Sequence, residues 1–332
     1  MRVVFAYGIL GGGGCEKRMG DLVRSLVRNG DEAWILGMRT DPHGEEQLFE
    51  QQGISRDRVF LADPEGAAFH FPVDYDAFIG RHCRELRADI LDVQYTMSVP
   101  AHLPCRTIYT IHGEAQPIPA MAFDGILSVE NLRVDVRQYP GQPYAEIHNW
   151  VDPQRFPYDK QLGEGACFIG RNFKTVNATK VAQFWKGTID CYGIAELTTE
   201  NYPPNMRWLG YTDSAKTMPQ YRVVFGSAQV ALEAISAGRL VIAGQHYRRA
   251  PAGVLVMPEN LEALLDAQFY TQCQGDETEE PSAEKVYNLF QVAMANDFTR
   301  ERHHMSHYVQ RTHNMEGQIG KVRRFYEEVL AA

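Results

Sequence analysis

The stretch from Val223 to Ala243, VVFGSAQVALEAISAGRLVIA, constrains the fold more than any other. An apolar run ends at Gly226. Small residues then turn the chain, a helix-period segment follows to Gly238, and a second apolar run begins at once. A strand, a helix and a strand joined by such short turns pack as a parallel β–α–β unit. The first amides of a helix have no partner inside it, and the positive end of the helix dipole stands behind them. A turn of small residues at that point suits a phosphate. Gly226, Ser227 and Ala228 are the candidate amide donors. Glu233, further along the same helix, is within reach of whatever is attached to that phosphate.

The alternation runs through the chain. In the first half, strands are expected at Arg2–Ala6, Glu32–Met38, Val59–Ala62, Ile90–Gln94, Arg106–Ile111 and Gly125–Val129. Helices are expected from about Glu16 to Asn29 and from Tyr75 to Arg87. Ile147–Tyr158 (IHNWVDPQRFPY) reads as a linker. The pattern then restarts, with strands at Ala166–Gly170, Met206–Leu209, Val223–Phe225, Leu240–Ala243 and Val254–Met257. Helices are expected at Ala178–Trp185 and Asn260–Ala267, and the chain is helical from Ala283. Short apolar strands bounded by turn residues are typical of buried parallel sheets, so the pattern predicts two doubly wound α/β domains. A length of 332 residues accommodates both.

The net charge of −9 disfavours a nucleic-acid partner held by phosphate neutralisation. Six scattered cysteines without a CxxC pair fit free thiols in a reducing cytosol. No apolar run is long enough to form a transmembrane segment, and the start of the chain reads as a strand rather than a signal peptide. A cytoplasmic protein is the expectation.

Several residues at strand ends have chemistry to offer. Gly11 to Gly14 follow the first strand and allow close backbone approach to a ligand. The spacing is not GxGxxG, and Asp41 is the nearest acidic residue to serve a nucleotide ribose. The run is therefore a dinucleotide turn, a plain surface loop, or a loop that closes over a ligand. His112 lies just past a β-branched strand, on the edge where such domains bind ligands. It is placed to donate to a hydroxyl or transfer a proton, or else is an ordinary loop histidine. Arg171, with Lys174 and Lys180 nearby, follows Phe168-Ile169-Gly170 and suits a diphosphate; alone, it equally suits a solvated turn. His303 and His307 have helical metal spacing without accompanying ligands, and a solvated helix face is the plainer alternative.

In order along the chain, these segments resemble the GT-B glycosyltransferases. The resemblance is to the large retaining family that includes bacterial mannosyl- and glucosyltransferases. Gly13-Gly14-Cys15-Glu16 is similar to the family's GGxE loop, and Thr110-Ile111-His112-Gly113 to its T-x-H segment. Ile147 to Phe156 resembles its N-G-V-D linker, Phe168 to Arg171 its F-x-G-R strand end, and Trp208 to Tyr211 its F-L-G turn. Ala231 to Gly238 is similar to its L-E-A-M-A-x-G helix. Phe225 occupies the position where the family's first glutamate of a pair would fall.

The resemblance implies two Rossmann-like domains facing across a cleft. Residues 1–150 would form the acceptor side and 151–305 the donor domain, with 306–332 a helix returning to the first domain. It implies transfer of a sugar from a UDP- or GDP-sugar type donor, retaining and without metal or further cofactor, to a small-molecule or glycan acceptor. Glu233 would bind ribose. Gly226, Ser227, Ala228, Arg171, Lys174 and Lys180 would serve the diphosphate, and Gly12, Gly13 and Gly14 would close over the donor or the acceptor. His112 would meet the transferred sugar. Glu16 and Glu114 are candidate acid/base groups. Residues 63–75 and 114–124 are candidate acceptor walls. Two other functions stay open: a nucleotide-sugar epimerase of the same fold, and a catalytically impaired nucleotide-sugar-binding partner. The sequence is compatible with a homodimer.

Overall fold

A computed structural model describes residues 1–63, 73–94, 100, 102–112, 123–129, 141–170, 175–193, 202–244, 253–269 and 281–332. The chain divides into two compact units, Met1–Asn149 with Glu316–Ala332, and Trp150–Met315.

Unit 1 begins with β1 (Arg2–Leu10), α1 (Gly14–Arg28) and β2 (Glu32–Thr40). A short α2 (Pro42–Glu45) runs into a π-helical turn, followed by β3 (Val59–Leu61) and α3 (Val73–Glu85). Four more strands follow: β4 (Ile90–Val93), β5 (Arg106–Ile111), β6 (Gly125–Ser128) and β7 (Tyr144–Glu146). All seven pair in parallel, in the order β3-β2-β1-β4-β5-β6-β7.

Unit 2 contains β8 (Ala166–Ile169), α4 (Val176–Ala182), β9 (Ile189–Tyr192), β10 (Met206–Trp208), α5 (Ser214–Thr217) and β11 (Val223–Gly226). It continues with α6 (Ala228–Ser236), β12 (Leu240–Ala243), β13 (Val254–Leu255), α7 (Leu261–Asp266), α8 (Ala283–Ala295) and α9 (Thr299–Thr312). Its sheet runs β10-β9-β8-β11-β12-β13 and is parallel except for the last pair. The last helix, α10 (Met315–Ala331), lies almost wholly in unit 1. The sheets are thus doubly wound, as the alternation of apolar runs predicts.

The central strands β4, β6, β8, β11 and β12 are buried at every position. Strands covered on both faces need continuous apolar runs, which is why these were visible in the sequence. The α10 helix covers β6 closely: a Cβ on Gly125 would come within 2.7 Å of the Val329 side chain. Two strands escaped the pattern. β9 (Ile-Asp-Cys-Tyr) carries Asp190 in mid-strand, which Arg207 on neighbouring β10 engages through two bonds of 2.9 and 3.0 Å. β7 is a three-residue edge with exposed ends. The expected strand at Val254–Met257 shrinks to two antiparallel residues.

Two buried arginines fasten the irregular segment 158–161 within unit 2. Arg239 donates to the carbonyls of Asp159 (3.0 Å) and Gln161 (2.7 Å). Arg302 donates to those of Asp297 (2.8 Å), Gly238 (2.6 Å) and Lys160 (2.9 Å). Burial lowers the pKa of both, yet a guanidinium keeps its charge, and its planar fork serves several main-chain acceptors at once. Arg302→Met keeps the apolar stem and abandons three carbonyls. The variant should lose roughly 3 kcal/mol or more of unfolding free energy in urea, with faster hydrogen exchange through α9. Unchanged stability would show that water replaces the guanidinium at no cost.

Candidate functional site

In unit 2 the strand order reverses between β8 and β11, and open sheets of this kind bind ligands outside the carboxyl ends at such a reversal. Strand β11 ends there at Gly226, whose Cβ, if it had one, would lie 2.7 Å from Val230. Ser227 caps α6 in extended conformation, and its side chain makes no capping bond. Among the described residues the Ser227 amide meets no acceptor either. No acidic residue occupies the first turn of α6. Ala228 differs from expectation. It takes φ +48°, unusual for a residue with a side chain, and its amide donates to the Gln268 carbonyl at 2.9 Å. That amide serves the fold rather than a ligand.

Glu233 is 1% exposed and held from two sides. Gln229, one turn earlier, donates its amide to Oε1 at 2.8 Å, and Ser214, at the start of α5, donates its hydroxyl to Oε2 at 2.8 Å. Gln229 also donates to the Trp150 carbonyl at 2.9 Å, so its amide cannot turn away freely. The spacing of Gln229 and Glu233 was visible in the sequence; the Ser214 contact, nineteen residues away in the chain, was not.

The floor of this edge is built from glycines. Gly170 and Gly193 follow β8 and β9 at φ +151° and +134°, and a Cβ on Gly193 would lie 1.9 Å from the Gly170 carbonyl oxygen. Only glycine permits that approach. Asn177 on α4 donates to the Ala243 and Gly244 carbonyls at 3.1 and 2.6 Å, fixing the end of β12, while its own Oδ1 is buried and unpaired among the described residues. Lys180 departs from its expected role: its ammonium donates to the Pro281 carbonyl at 2.7 Å, on the side of α4 that meets α8. Phe225, at the first-glutamate position, is a core residue of β11 stacked 5.9 Å from Phe290.

In unit 1 the reversal lies between β1 and β4. The glycine run is pinned down rather than left as a flap. Gly12 takes φ +70°, and a Cβ there would meet the main chain of His43 at 3.0 Å. The Gly13 carbonyl accepts from the Lys17 amide and from Gln47, both at 3.1 Å, and Gly14 opens α1. Glu16 is also not presented as an acid or base. Its two oxygens accept the Gly11 amide at 2.9 Å and the Gly13 amide at 3.1 Å, so the carboxylate folds back onto the loop as the glutamate half of a capping box, for which Gly13 has no side chain to supply the other half. Asp41 accepts the Gly44 amide at 2.8 Å and caps α2, so it is not a ribose ligand.

His112 follows β5 and is half-buried. Its Nε2 bonds to Gln94 Oε1 at 2.8 Å, which assigns the proton to Nε2. Burial, with the nearby Arg18 guanidinium, lowers its pKa to about 3. Asp92 on β4 accepts from Thr110 Oγ1 at 2.6 Å and from the Tyr326 hydroxyl of α10. Its burial raises the carboxyl to about 6 against these bonds. Arg18 donates to the Ile147 and His148 carbonyls at 3.3 Å, and burial lowers its pKa to about 10. Gln94 and Asp92 carry no motif and were missed from sequence. Arg171, Lys174 and Glu114 lie outside the described residues, as do 64–72 and 114–122 of the expected acceptor walls. His303 and His307 stack 6.5 Å apart on an exposed face of α9.

No protein-family model matches the sequence, and no curated protein matches it. Solved structures do match over the whole length. Sucrose-phosphate synthase from Thermosynechococcus elongatus is 13% identical with a TM-score of 0.67, covering 100% of both chains. A glycosyltransferase from Rickettsia africae is 12% identical with a TM-score of 0.64, covering 99% of both. UDP-GlcNAc 2-epimerase from Neisseria meningitidis, bound to UDP-GlcNAc, is 10% identical with a TM-score of 0.60, covering 99% of this chain and 100% of that one. The fold is that of the GT-B glycosyltransferases.

The two shifted groups oppose each other in pH. Asp92 binds its proton more tightly folded than unfolded, so its contribution falls as pH rises from about 4 to about 6. His112 binds its proton less tightly folded, so its contribution rises over the same window and is lost on acidification. Thermal unfolding from pH 4 to pH 6 should therefore slope upward with pH in Asp92→Asn and downward in His112→Gln, each relative to wild type. The Asp92 effect should amount to roughly 3 kcal/mol across the window. Slopes of the same sign in both variants would refute the assignment.

Proposed function

We propose that the protein is a glycosyltransferase that binds a nucleotide-sugar donor on unit 2 and transfers its sugar to an acceptor hydroxyl with retained configuration and without a metal ion. One observation carries the proposal: the Ser227 amide is unfilled at the start of α6, at the strand-order reversal, with Glu233 held behind it. An amide backed by a helix dipole suits a diphosphate, and a carboxylate held in one place is an acceptor of the kind that ribose hydroxyls require. The shared fold supports this reading.

In the reaction, the bond between the anomeric carbon and the diphosphate oxygen breaks and its electron pair stays on that oxygen. The acceptor oxygen bonds to the same carbon and passes its proton to the departing diphosphate oxygen. Negative charge therefore grows on the leaving diphosphate, and donors already aimed there lower the barrier. Ser227 and the α6 dipole fill that role here, with Arg171 and Lys174 assigned to it by their sequence positions just after β8. His112 meets its ligand as a neutral imidazole, a hydrogen-bonding group rather than a proton source. The likeness to the 2-epimerase favours a second function, in which the nucleotide sugar is itself the substrate and leaves epimerised at C2.

Thermal unfolding with UDP, GDP, dTDP and CMP and their sugars tests donor binding, since a ligand specific to the native state raises the unfolding temperature. One base should stabilise the protein, equally with and without EDTA; no shift with any nucleotide would sink the proposal. Product analysis then separates free or transferred sugar from an epimerised nucleotide sugar. Glu233→Ala should weaken nucleotide affinity by roughly ten- to a hundredfold, the loss of charge-assisted hydrogen bonds. Undiminished affinity in that variant would remove Glu233 from the ribose role.

A further inference from the structure

Strands β4 and β5 carry two polar rungs side by side. Side chains alternate between the faces of a strand, so Asp92 shares a face with Gln94, and Thr110 with His112. The ladder continues past β4, since the Gln94 amide bonds to the Ala6 carbonyl at 2.9 Å. The other face is apolar: Leu91, Val93, Tyr109 and Ile111 pack in one cluster with Phe78 and Ile79 of α3. On the polar face each rung is a side-chain hydrogen bond between the two strands. Thr110 Oγ1 donates to Asp92 Oδ1 at 2.6 Å, and His112 Nε2 lies 2.8 Å from Gln94 Oε1. From α10, the Tyr326 hydroxyl completes the first rung on Asp92 Oδ2. The second rung lies at the carboxyl ends of both strands, which is the ligand edge.

The Gln94 side chain is 0% exposed, and its Nε2 meets no hydrogen-bond partner among the described residues. The two ends of an amide have the same outline, so the surroundings decide which end points where. Turned round, the amide would set its oxygen on the side of the Asp92 carboxylate, and two acceptors would face each other. With Nε2 on that side it favours ionised Asp92, and Oε1 is left for the imidazole. A carbonyl oxygen only accepts. His112 therefore donates from Nε2 and, as a neutral ring, has its acceptor at Nδ1.

We propose that Gln94 is a positioning residue: its Oε1 holds His112 as the Nε2–H tautomer, so that a sugar hydroxyl at this edge meets an acceptor, Nδ1, rather than a donor. The other tautomer would present an N–H there, and the hydroxyl would have to turn to accept it. His112 is the group that touches the ligand, and Gln94 acts through it. The charged groups around the pair fit this division. Arg18 of α1 opposes a proton on His112 and favours a carboxylate at Asp92, so the ring stays neutral and one tautomer has to be selected. The role in turnover rests on the transfer proposed above; the tautomer does not.

The test labels the histidine rings of the full-length protein with 15N and reads their tautomers by long-range proton–nitrogen correlation, with His112 identified by its loss in His112→Gln. In wild type His112 should be in the Nε2–H form near neutral pH. Gln94→Met keeps the bulk of the side chain and removes the acceptor, so the Nδ1–H form should appear. Gln94→Glu restores an acceptor, and the Nε2–H form should return. Turnover of the nucleotide sugar that stabilises the protein should fall roughly tenfold to a hundredfold in Gln94→Met and recover in part in Gln94→Glu. Nucleotide affinity should stay unchanged in both. An unaltered Nε2–H signal in Gln94→Met would overturn the proposal, as would a shifted tautomer with full turnover. Nδ1–H in wild type would overturn it whether or not any variant folds. A wild type inert toward every nucleotide sugar, with the tautomer still shifting in Gln94→Met, would sink the transfer and leave the hold of Gln94 on His112 standing.

Discussion

A helix that begins directly after a strand presents amides that no carbonyl of its own can reach, and something must answer them. Both sheets place such a start where the strand order reverses, so both face the same demand. They meet it in opposite ways. In unit 1, Glu16 folds back from the first turn of α1 and accepts the Gly11 and Gly13 amides. The chain supplies its own anion, and a phosphate brought to the same amides would have to displace a carboxylate and face its charge. In unit 2, α6 carries no acidic residue in its first turn and no capping side chain. The Ser227 amide meets no acceptor among the described residues, and it is this opening that the proposed donor would use. A single side chain, Glu16, thus separates the two helix starts.

The surroundings of α6 are consistent with a site built to be rigid. Gln229 and Ser214 fix Glu233, Asn177 fixes the end of β12, and the glycines after β8 and β9 pack carbonyl against α-carbon. The strained Ala228 conformation is held by its bond to Gln268, so the turn is determined by the residues following α7 as well as by its own sequence. Strain of this kind persists where neighbouring structure enforces it.

Much of the fold was legible because the central strands are buried on both faces and so spell themselves as apolar runs. The failures have physical causes. β9 hides because Asp190 breaks its run, and the partner that makes that charge tolerable, Arg207, sits on another strand. The GGxE segment was legible as a motif. Whether that carboxylate turns inward to cap or outward to act is a three-dimensional fact, and it turns inward. Lys180 has the right charge in the right stretch, but helical phase carries it to Pro281. Ser214, Asn177 and Gln94 act across long separations, and no local pattern announces them.

The ligand edge of unit 1 shows how far charge placement narrows chemistry. Arg18 is buried and donates to two carbonyls, and its field acts on both neighbours. It favours ionised Asp92 and neutral His112. Burial opposes the first effect and reinforces the second, so Asp92 settles near 6 while His112 falls to about 3. An imidazole so far from its usual range has hydrogen bonds to give and to accept but no proton to donate near neutral pH. Glu16 is occupied with amides. Of the groups first considered for acid–base work, neither of the two that the structure describes can perform it. The third, Glu114, lies outside the described residues; the retaining transfer proposed above, in which the leaving oxygen takes the acceptor's proton, asks for no separate base.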